Sequence, residues 1–267
     1  MKRAVLLITE GRDLPAVLAA RWIKRYLEIP HDLYVVARDL QPGAKQLMGL
    51  SGAAFIPCRY PALSVNFEKL QAVSLLTCYD QVLYLDTDVL IQAPLDGIFE
   101  LPGGLAAAIQ PEQYPLHEMF RDRAILPDKT WPYFNAGVML FSRAGLPDPA
   151  WLSRTLECML PAVLSKGVPW IGDQGLFNLA AATLELNFKD LPSVYNACPG
   201  VHDGATPAIW HFRPPAVKPW SNRAGGFLAD WYVKKTGARP LFHPAYDAWD
   251  LEYKQFKEKV FVWIKTP

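Results

Sequence analysis

Apolar residues in this chain fall into short continuous runs that alternate with amphipathic stretches. Residues 3–9 form the first run, and an unbroken apolar run of that length predicts a strand buried on both faces. Residues 14–28 carry Leu14, Val17, Leu18, Trp22, Ile23 and Leu27 at helical spacing, which predicts a helix. Strands are expected at 33–37 and 53–56, and a helix over 67–79 leads into a further strand over 82–91. Strand and helix alternate throughout this half. The pattern predicts an α/β fold with a mostly parallel central sheet and helices on both faces. Beyond residue 92, Pro94, Pro102, Gly103 and Gly104 punctuate the chain before an apolar stretch at 105–109. Residues 111–133, rich in Pro, charge and aromatics, read as a surface excursion suited to acceptor contacts. A buried strand is expected at 137–141, entered through Phe134, Asn135 and Ala136, then helices at 150–165 and 173–182 and a late strand at 184–188. With no repeat and no clear linker, the chain reads as a single domain over 1–267, with 221–267 as a C-terminal extension.

The strand at 82–91 is where chemistry enters. Its apolar run is broken at the centre by Asp86 and Asp88. Residues two apart on an extended chain project to the same side, so both carboxylates can face one cation. Two like charges in a buried strand repel each other and lose hydration, and a divalent ion removes that objection. Oxygen ligands suit a hard ion, Mg²⁺ or Mn²⁺, which keeps open positions for phosphate oxygens. In a parallel sheet, ligands bind beyond the carboxyl ends of the strands, and these aspartates stand at such an end. A bare Asp-x-Asp is also what a strand cap followed by a turn looks like, so the pair needs support from elsewhere in the chain.

Composition narrows the classes. Hydrophobic residues make up 51% of the chain and the formal net charge is +1, as in ordinary globular proteins, so there is no electrostatic case for nucleic acid. Cys58, Cys78, Cys158 and Cys198 lack metal-finger spacing and read as free, buried thiols of a reducing compartment. The N-terminal apolar run is too short for a signal peptide and no stretch is long enough to cross a bilayer, so a cytoplasmic protein is expected. Near the end, Lys254, Lys257, Lys259 and Lys265 are interleaved with Tyr253, Phe256, Phe261 and Trp263. Such a segment can lie on an anionic membrane or pack its aromatic face on the domain, and four lysines favour the second reading.

Several motifs together carry a family resemblance. Lys69-Leu70, Leu75-Leu76 and the stretch Tyr79-Asp80-Gln81-Val82-Leu83-Tyr84-Leu85-Asp86-Thr87-Asp88-Val89-Leu90 resemble the signature of family 8 glycosyltransferases, whose fold is the GT-A nucleotide-diphospho-sugar transferase type. Three later stretches follow in the matching order: Tyr133-Phe134-Asn135-Ala136-Gly137-Val138, Gly172-Asp173-Gln174, and Trp210-His211-Phe212 with Lys218-Pro219-Trp220. One short motif is weak evidence and four ordered ones are strong.

The resemblance implies a retaining, metal-dependent transferase that takes a hexose from a nucleotide sugar. Asp86, Asp88 and His211 are the implied metal ligands. A histidine in the set tilts the ion towards Mn²⁺, with Mg²⁺ as the alternative. Lys218 is implied at the donor diphosphate, Lys69 near the donor phosphates or sugar, and Thr87, Ala136 and Gly137 beside the donor. Asn135 is expected to address sugar hydroxyls, for which an amide offers both a donor and an acceptor. Asp173 and Gln174 correspond to the family's pair at the sugar, with the Gln near the anomeric carbon. Two departures stand out. His211 and Lys218 lie seven apart across a glycine-free Arg213-Pro214-Pro215-Ala216-Val217, where typical members have a spacing of six with a glycine. The first strand runs into Thr9-Glu10-Gly11-Arg12-Asp13 rather than an Asn-rich stretch, leaving UDP as an expectation and Thr9 as the base-side contact. The acceptor is open among saccharide, lipid-linked glycan, protein and small molecule. Two other classes compete: a phosphohydrolase of the haloacid dehalogenase type, which also runs a strand into Asp-x-Asp, and a non-catalytic sugar-nucleotide binder on the same fold.

Overall fold

A computed structural model of the chain describes residues 1–11, 13–109, 120, 126, 131–166, 172–199, 201–202, 206–212 and 244–264. In chain order the elements are β1 (Arg3–Glu10), α1 (Asp13–Tyr26), β2 (Asp32–Arg38), α2 (Pro42–Leu50), β3 (Ala53–Ile56), α3 (Leu70–Leu75), β4 (Gln81–Leu85), β5 (Val89–Ile91), β6 (Leu105–Ile109), β7 (Phe134–Ser142), α4 (Pro149–Lys166), α5 (Gly172–Thr183), β8 (Phe188–Asp190), β9 (Ile209–His211) and α6 (Pro244–Ile264). Seven strands form one sheet in the order β3-β2-β1-β4-β7-β6-β8, and β5 pairs with β9 in a small second sheet. In the large sheet β7 alone runs against its neighbours, so the mostly parallel sheet expected from the sequence is present.

Alternation along the strands sorts side chains into two cores. On β1, Val5 and Leu7 join Leu83 and Leu85 of β4 under α1, together with Trp22 and Ile23. Leu6 and Ile8 face the other way, with Val82 and Tyr84, into a core closed by α3, α4 and α5. Helices therefore cover both faces, and every residue of β4 and β7 is buried. The last helix belongs to the first core, where Trp249 and Phe256 are buried, and the Arg21 guanidinium lies 4.7 Å from the Phe256 ring centroid. Up to Phe256, the C-terminal segment thus packs its aromatic face on the domain. No helix among the described residues is long and apolar enough to cross a membrane.

Four sequence expectations are corrected. Of the cysteines expected as buried thiols, Cys198 is buried, Cys58 is half-buried, and Cys78 and Cys158 are exposed. The run 82–91 is not one strand: β4 ends at Leu85 and β5 starts at Val89, because the chain leaves the large sheet for the small one between them. The helix expected over 67–79 is a 3-10 turn, Val65–Lys69, followed by the short α3. Buried Glu68 explains the tight turn, since its carboxylate accepts the backbone N–H groups of Arg59 (2.9 Å) and Tyr60 (2.8 Å). The late strand starts at 188 rather than 184, because Glu185 adopts a left-handed φ of 47° where the chain turns after α5. Most of 111–133 lies outside the described residues; within it Phe120 and Tyr133 are buried.

One irregularity matters for the site. Between the Ala107–Met139 and Ile109–Phe134 pairs, β7 takes five steps where β6 takes two. The four residues 135–138 stand against Ala108 alone, a surplus of three. Such bulges break the alternation and re-aim side chains next to functional sites.

Candidate active site

The break between β4 and β5 is pinned from both sides. The Asp86 backbone N–H still donates to the Gly137 carbonyl of β7 (2.7 Å), while the Asp88 carbonyl accepts from the Phe212 N–H just after β9 (2.9 Å). Pairing of β5 with β9 sets Val89 opposite His211. Asp88 and His211 are thereby brought together from positions far apart in sequence. The His211 Nε2 lies 3.3 Å from Asp88 Oδ1 and 3.5 Å from Asp86 Oδ2. One ligand atom from each of the three residues falls within 4.8 Å of the others. The carboxylates converge because the chain crosses between sheets at 86–88, not because a continuous strand projects them to one side.

Lys69 ties this group to a second carboxylate. It is 4% exposed, and its Nζ lies 3.2 Å from Asp86 Oδ1 and 2.6 Å from Asp173 Oδ2, and donates to the Ala136 carbonyl at 3.0 Å. Burial alone lowers a lysine pKa; the charges of Asp173 and Asp86 override it and hold Lys69 above its ordinary value. For Asp86 burial pushes upward, but Lys69 and the His211 contact win and its carboxyl sits well below the usual range. The Tyr84 hydroxyl also donates to Asp86. Asp173 goes the other way: burial raises its pKa, and Lys69, shared with Asp86, offsets only part of that.

Asp173 and Gln174 open α5, which is fastened to β7 by Asn178. The Asn178 side chain, fully buried, accepts from the Phe134 N–H and donates to the Phe134 carbonyl, both at 2.9 Å. Gln174 Oε1 accepts from the Ala136 N–H (3.1 Å) and from Asn135 Nδ2 (3.0 Å), and its Nε2 donates to the Tyr133 hydroxyl. Asn135 Oδ1 accepts from the Gly137 N–H (2.9 Å) and from Asn196 Nδ2 (3.1 Å). The Asn196 Oδ1 is 3.0 Å from His211 Nδ1. Asn135, expected at sugar hydroxyls, thus spends its amide on neighbouring protein groups. Gly137 is required by close approach: a Cβ there would fall 2.7 Å from both imidazole nitrogens of His211 and nearer still to Cε1.

Among the expected site residues, Lys69, Asp86, Asp88, Asn135, Ala136, Gly137, Asp173, Gln174 and His211 therefore form one connected cluster. Thr87 is buried between the two aspartates. Thr9 is buried at the end of β1, two residues past the Leu7–Leu85 pair, and so level with the 86–88 break. Lys218 lies outside the described residues. Tyr84, Asn178 and Asn196 take part in the site without any role that the sequence alone signals. An isolated Tyr or Asn carries no spacing signal, and their roles emerge only from tertiary contacts.

The donor set, two carboxylates and an imidazole nitrogen, fits a divalent cation of the Mn²⁺ kind. Without a cation or proton between them, three acceptor atoms would face one another in a buried space.

This fold and this site define a GT-A type glycosyltransferase. Similar solved structures include an active-site mutant of LgtC (TM-score 0.62, 17% identity, 88% of this chain and 95% of that one). Glycosyltransferase GlyE of Streptococcus pneumoniae TIGR4 gives a TM-score of 0.56 at 21% identity, covering 97% of this chain and 65% of that one. At such identities the likeness establishes the fold. Among curated proteins, glycogenin of Neurospora crassa is 29% identical over 154 residues, 54% of this chain, which spans only 18% of that protein. The family model "Glycosyl transferase family 8" matches residues 59–224. The chain belongs to glycosyltransferase family 8.

Proposed function

We propose that this glycosyltransferase transfers a hexose from a nucleotide-diphosphate sugar, with UDP as the carrier, to an acceptor in a Mn²⁺-dependent reaction that retains anomeric configuration. The observation that carries the reading is the convergence of Asp86, Asp88 and His211 at the carboxyl end of β4, where a parallel sheet binds its ligands. A cation held there, with Mg²⁺ as the alternative, would neutralise the negative charge that grows on the departing diphosphate. Lys218 is assigned to the same diphosphate, and Thr9 to the base side.

The chain's own groups supply the rest. Lys69 joins the metal-side carboxylate Asp86 to the sugar-side carboxylate Asp173, which fixes the distance between the two halves of the donor pocket. Gln174 Oε1 already accepts two hydrogen bonds. That supports attack by the acceptor on the face the diphosphate leaves, rather than a covalent intermediate on Gln174. The bond from the anomeric carbon to the phosphate oxygen breaks, the acceptor oxygen bonds to that carbon, and its proton passes to the leaving phosphate oxygen. No protein base is needed. Residues 1–267 serve as one transferase unit in this reading, with 221–267 as its C-terminal extension.

LgtC has been seen in complex with donor and acceptor sugar analogues; by analogy the partners here are a nucleotide sugar and an acceptor glycan, lipid-linked glycan, protein or small molecule. Family membership displaces the phosphohydrolase alternative. A panel of sugar nucleotides screened for thermal stabilisation with Mn²⁺, followed by NMR of any product linkage, tests the proposal. Ligand bound only to the folded state raises apparent stability by mass action. Stabilisation by UDP-sugars and a linkage of unchanged anomeric configuration are expected. An inverted linkage would contradict the same-face reaction, and donor binding without transfer or donor hydrolysis would leave a sugar-nucleotide binder.

A further inference from the structure

We propose that Asn196 is a positioning residue for the metal site, fixing His211 in the tautomer protonated at Nδ1 so that the Nε2 lone pair is presented between Asp86 and Asp88. The inference rests on the metal reading of this site given above.

Backbone groups around this site have hydrogen-bonding roles that are not open to choice. A backbone N–H can only donate. That of Gly137 meets the Asn135 side chain at 2.9 Å, so the atom it meets must be the carbonyl oxygen. The other end of Asn135 gives an independent check. The Ala136 N–H fixes the near atom of Gln174 as an oxygen, and the Asn135 group facing that oxygen must therefore be its NH₂. Both backbone donors give Asn135 the same orientation.

The constraint then passes on. The Asn196 atom 3.1 Å from Asn135 Oδ1 faces an acceptor and must be the NH₂. Its carbonyl oxygen is thereby turned towards His211 Nδ1, 3.0 Å away. A carbonyl oxygen only accepts, so Nδ1 must carry a proton. In a neutral imidazole Nε2 then holds the lone pair, and Nε2 is the atom lying 3.3 and 3.5 Å from the two carboxylates.

Asn196 is delivered to this place by the small sheet. The Ala197 N–H donates to the Ile209 carbonyl (3.0 Å), and the His211 N–H donates to the Ala197 carbonyl (2.7 Å), so residues 196–197 run alongside β9. Asn196 and His211 are 1% and 2% exposed, and a mispaired amide there would incur a full desolvation penalty. Groups that orient a metal-ligating histidine through its second nitrogen set its tautomer and ring angle. Here the same amides also reach Gln174, so the orientation of the metal ligand and that of the sugar-side glutamine are set by one network.

The test reads the tautomer and the ion separately. In metal-free full-length protein, the ¹H and ¹⁵N signals of His211 should show a proton on Nδ1, whatever the state of Nε2; this needs no variant, so it survives any folding failure. Mn²⁺ titration of folded Asn196→Ala should show affinity lowered about 10- to 100-fold, with the His211 tautomer shifted or mixed. Asn196→Asp, which keeps an acceptor at Nδ1, should retain the wild-type tautomer and bind Mn²⁺ better than the alanine variant. A wild-type His211 with no proton on Nδ1, or an Asn196→Ala protein with unchanged Nδ1 protonation and unchanged Mn²⁺ affinity, would overturn the assignment. Wild-type protein that binds no Mn²⁺ would instead overturn the metal reading, and the tautomer would still decide whether the amide network acts as described.

Discussion

Gly137 and His211 occupy space that only a residue without a Cβ allows them to share: a Cβ at 137 would lie 2.7 Å from both imidazole nitrogens. The glycine does not simply relax a strand, as a lone Gly in an apolar run would suggest. It seats the histidine against β7 while β9 holds its backbone. Gly137→Ala should therefore push His211 out of register with Asp86 and Asp88. Overpacking of this kind costs about 1–3 kcal/mol of stability, while Mn²⁺-dependent turnover should fall at least about 100-fold, in line with misplacement of a positioning group by an ångström. Paired melting curves and donor-turnover rates check this, and a variant of normal activity would refute the close contact.

Among the described side chains of this cluster, Lys69 is the one cation that meets both Asp86 and Asp173. In metal-free buffer, Lys69→Met should destabilise the protein by about 3–5 kcal/mol, the cost of stripping the partner from a buried charge. The pH dependence follows from the shifts. Asp86 has a depressed pKa, so its contribution to stability is present above the ordinary carboxylate value and fades as pH falls through the folded value. Lys69 has a raised pKa, so its contribution is present at neutral pH and fades only as pH rises through that raised value. The gap between wild type and variant should therefore be widest near neutrality and narrow below about pH 4. Urea titrations at a series of pH values measure it.

Asn178 fastens the start of α5 to β7 through two bonds to Phe134 and a third to the Gln174 carbonyl. Asn178→Ala should cost about 2–6 kcal/mol, because the two buried Phe134 backbone groups lose their partner at about 1–3 kcal/mol each. Asp173 and Gln174 ride on that first turn, so kcat should fall as well. Equilibrium unfolding and steady-state rates on the folded variant separate the two effects.

His211 and Lys218 should fail differently. His211→Ala removes a proposed ligand and should raise the Mn²⁺ concentration needed for half-maximal activity. Lys218→Ala should lower kcat more than it weakens donor binding, as expected for a contact made mainly in the transition state. An unchanged kcat in Lys218→Ala would show that the longer, glycine-free loop after His211 carries this lysine away from the diphosphate.

What the sequence revealed of this site depended on whether a residue's signal was local. Alternation of apolar runs sufficed for the parallel half of the sheet, and Asp86 and Asp88 stood out because carboxylates interrupt a buried run. The same run misled about geometry: Val82 to Ile91 is apolar enough to read as one strand, yet its two ends belong to different sheets, and periodicity does not report which partner a strand will find. His211, Asp173 and Gln174 were recognisable only through family resemblance, since an imidazole between Trp210 and Phe212 looks like any core histidine. Lys69 has no local sign of burial in the sequence; it closes the 3-10 turn in which Glu68 reaches back to the backbone of Arg59 and Tyr60, a side-chain contact that apolar periodicity does not register. Asn196 acts only through what it touches.

The most direct measurement of the central claim is turnover of a UDP-sugar panel by the wild type and by Asp86→Ala/Asp88→Ala protein, with chelator and with Mn²⁺ added back. Removing both carboxylates takes away two of the three proposed ligands. Transfer or donor hydrolysis by the wild type should vanish with chelator and return with Mn²⁺, while the folded double variant should stay at background in both conditions. Full activity in that variant, or wild-type turnover indifferent to chelator, would contradict the metal-dependent mechanism.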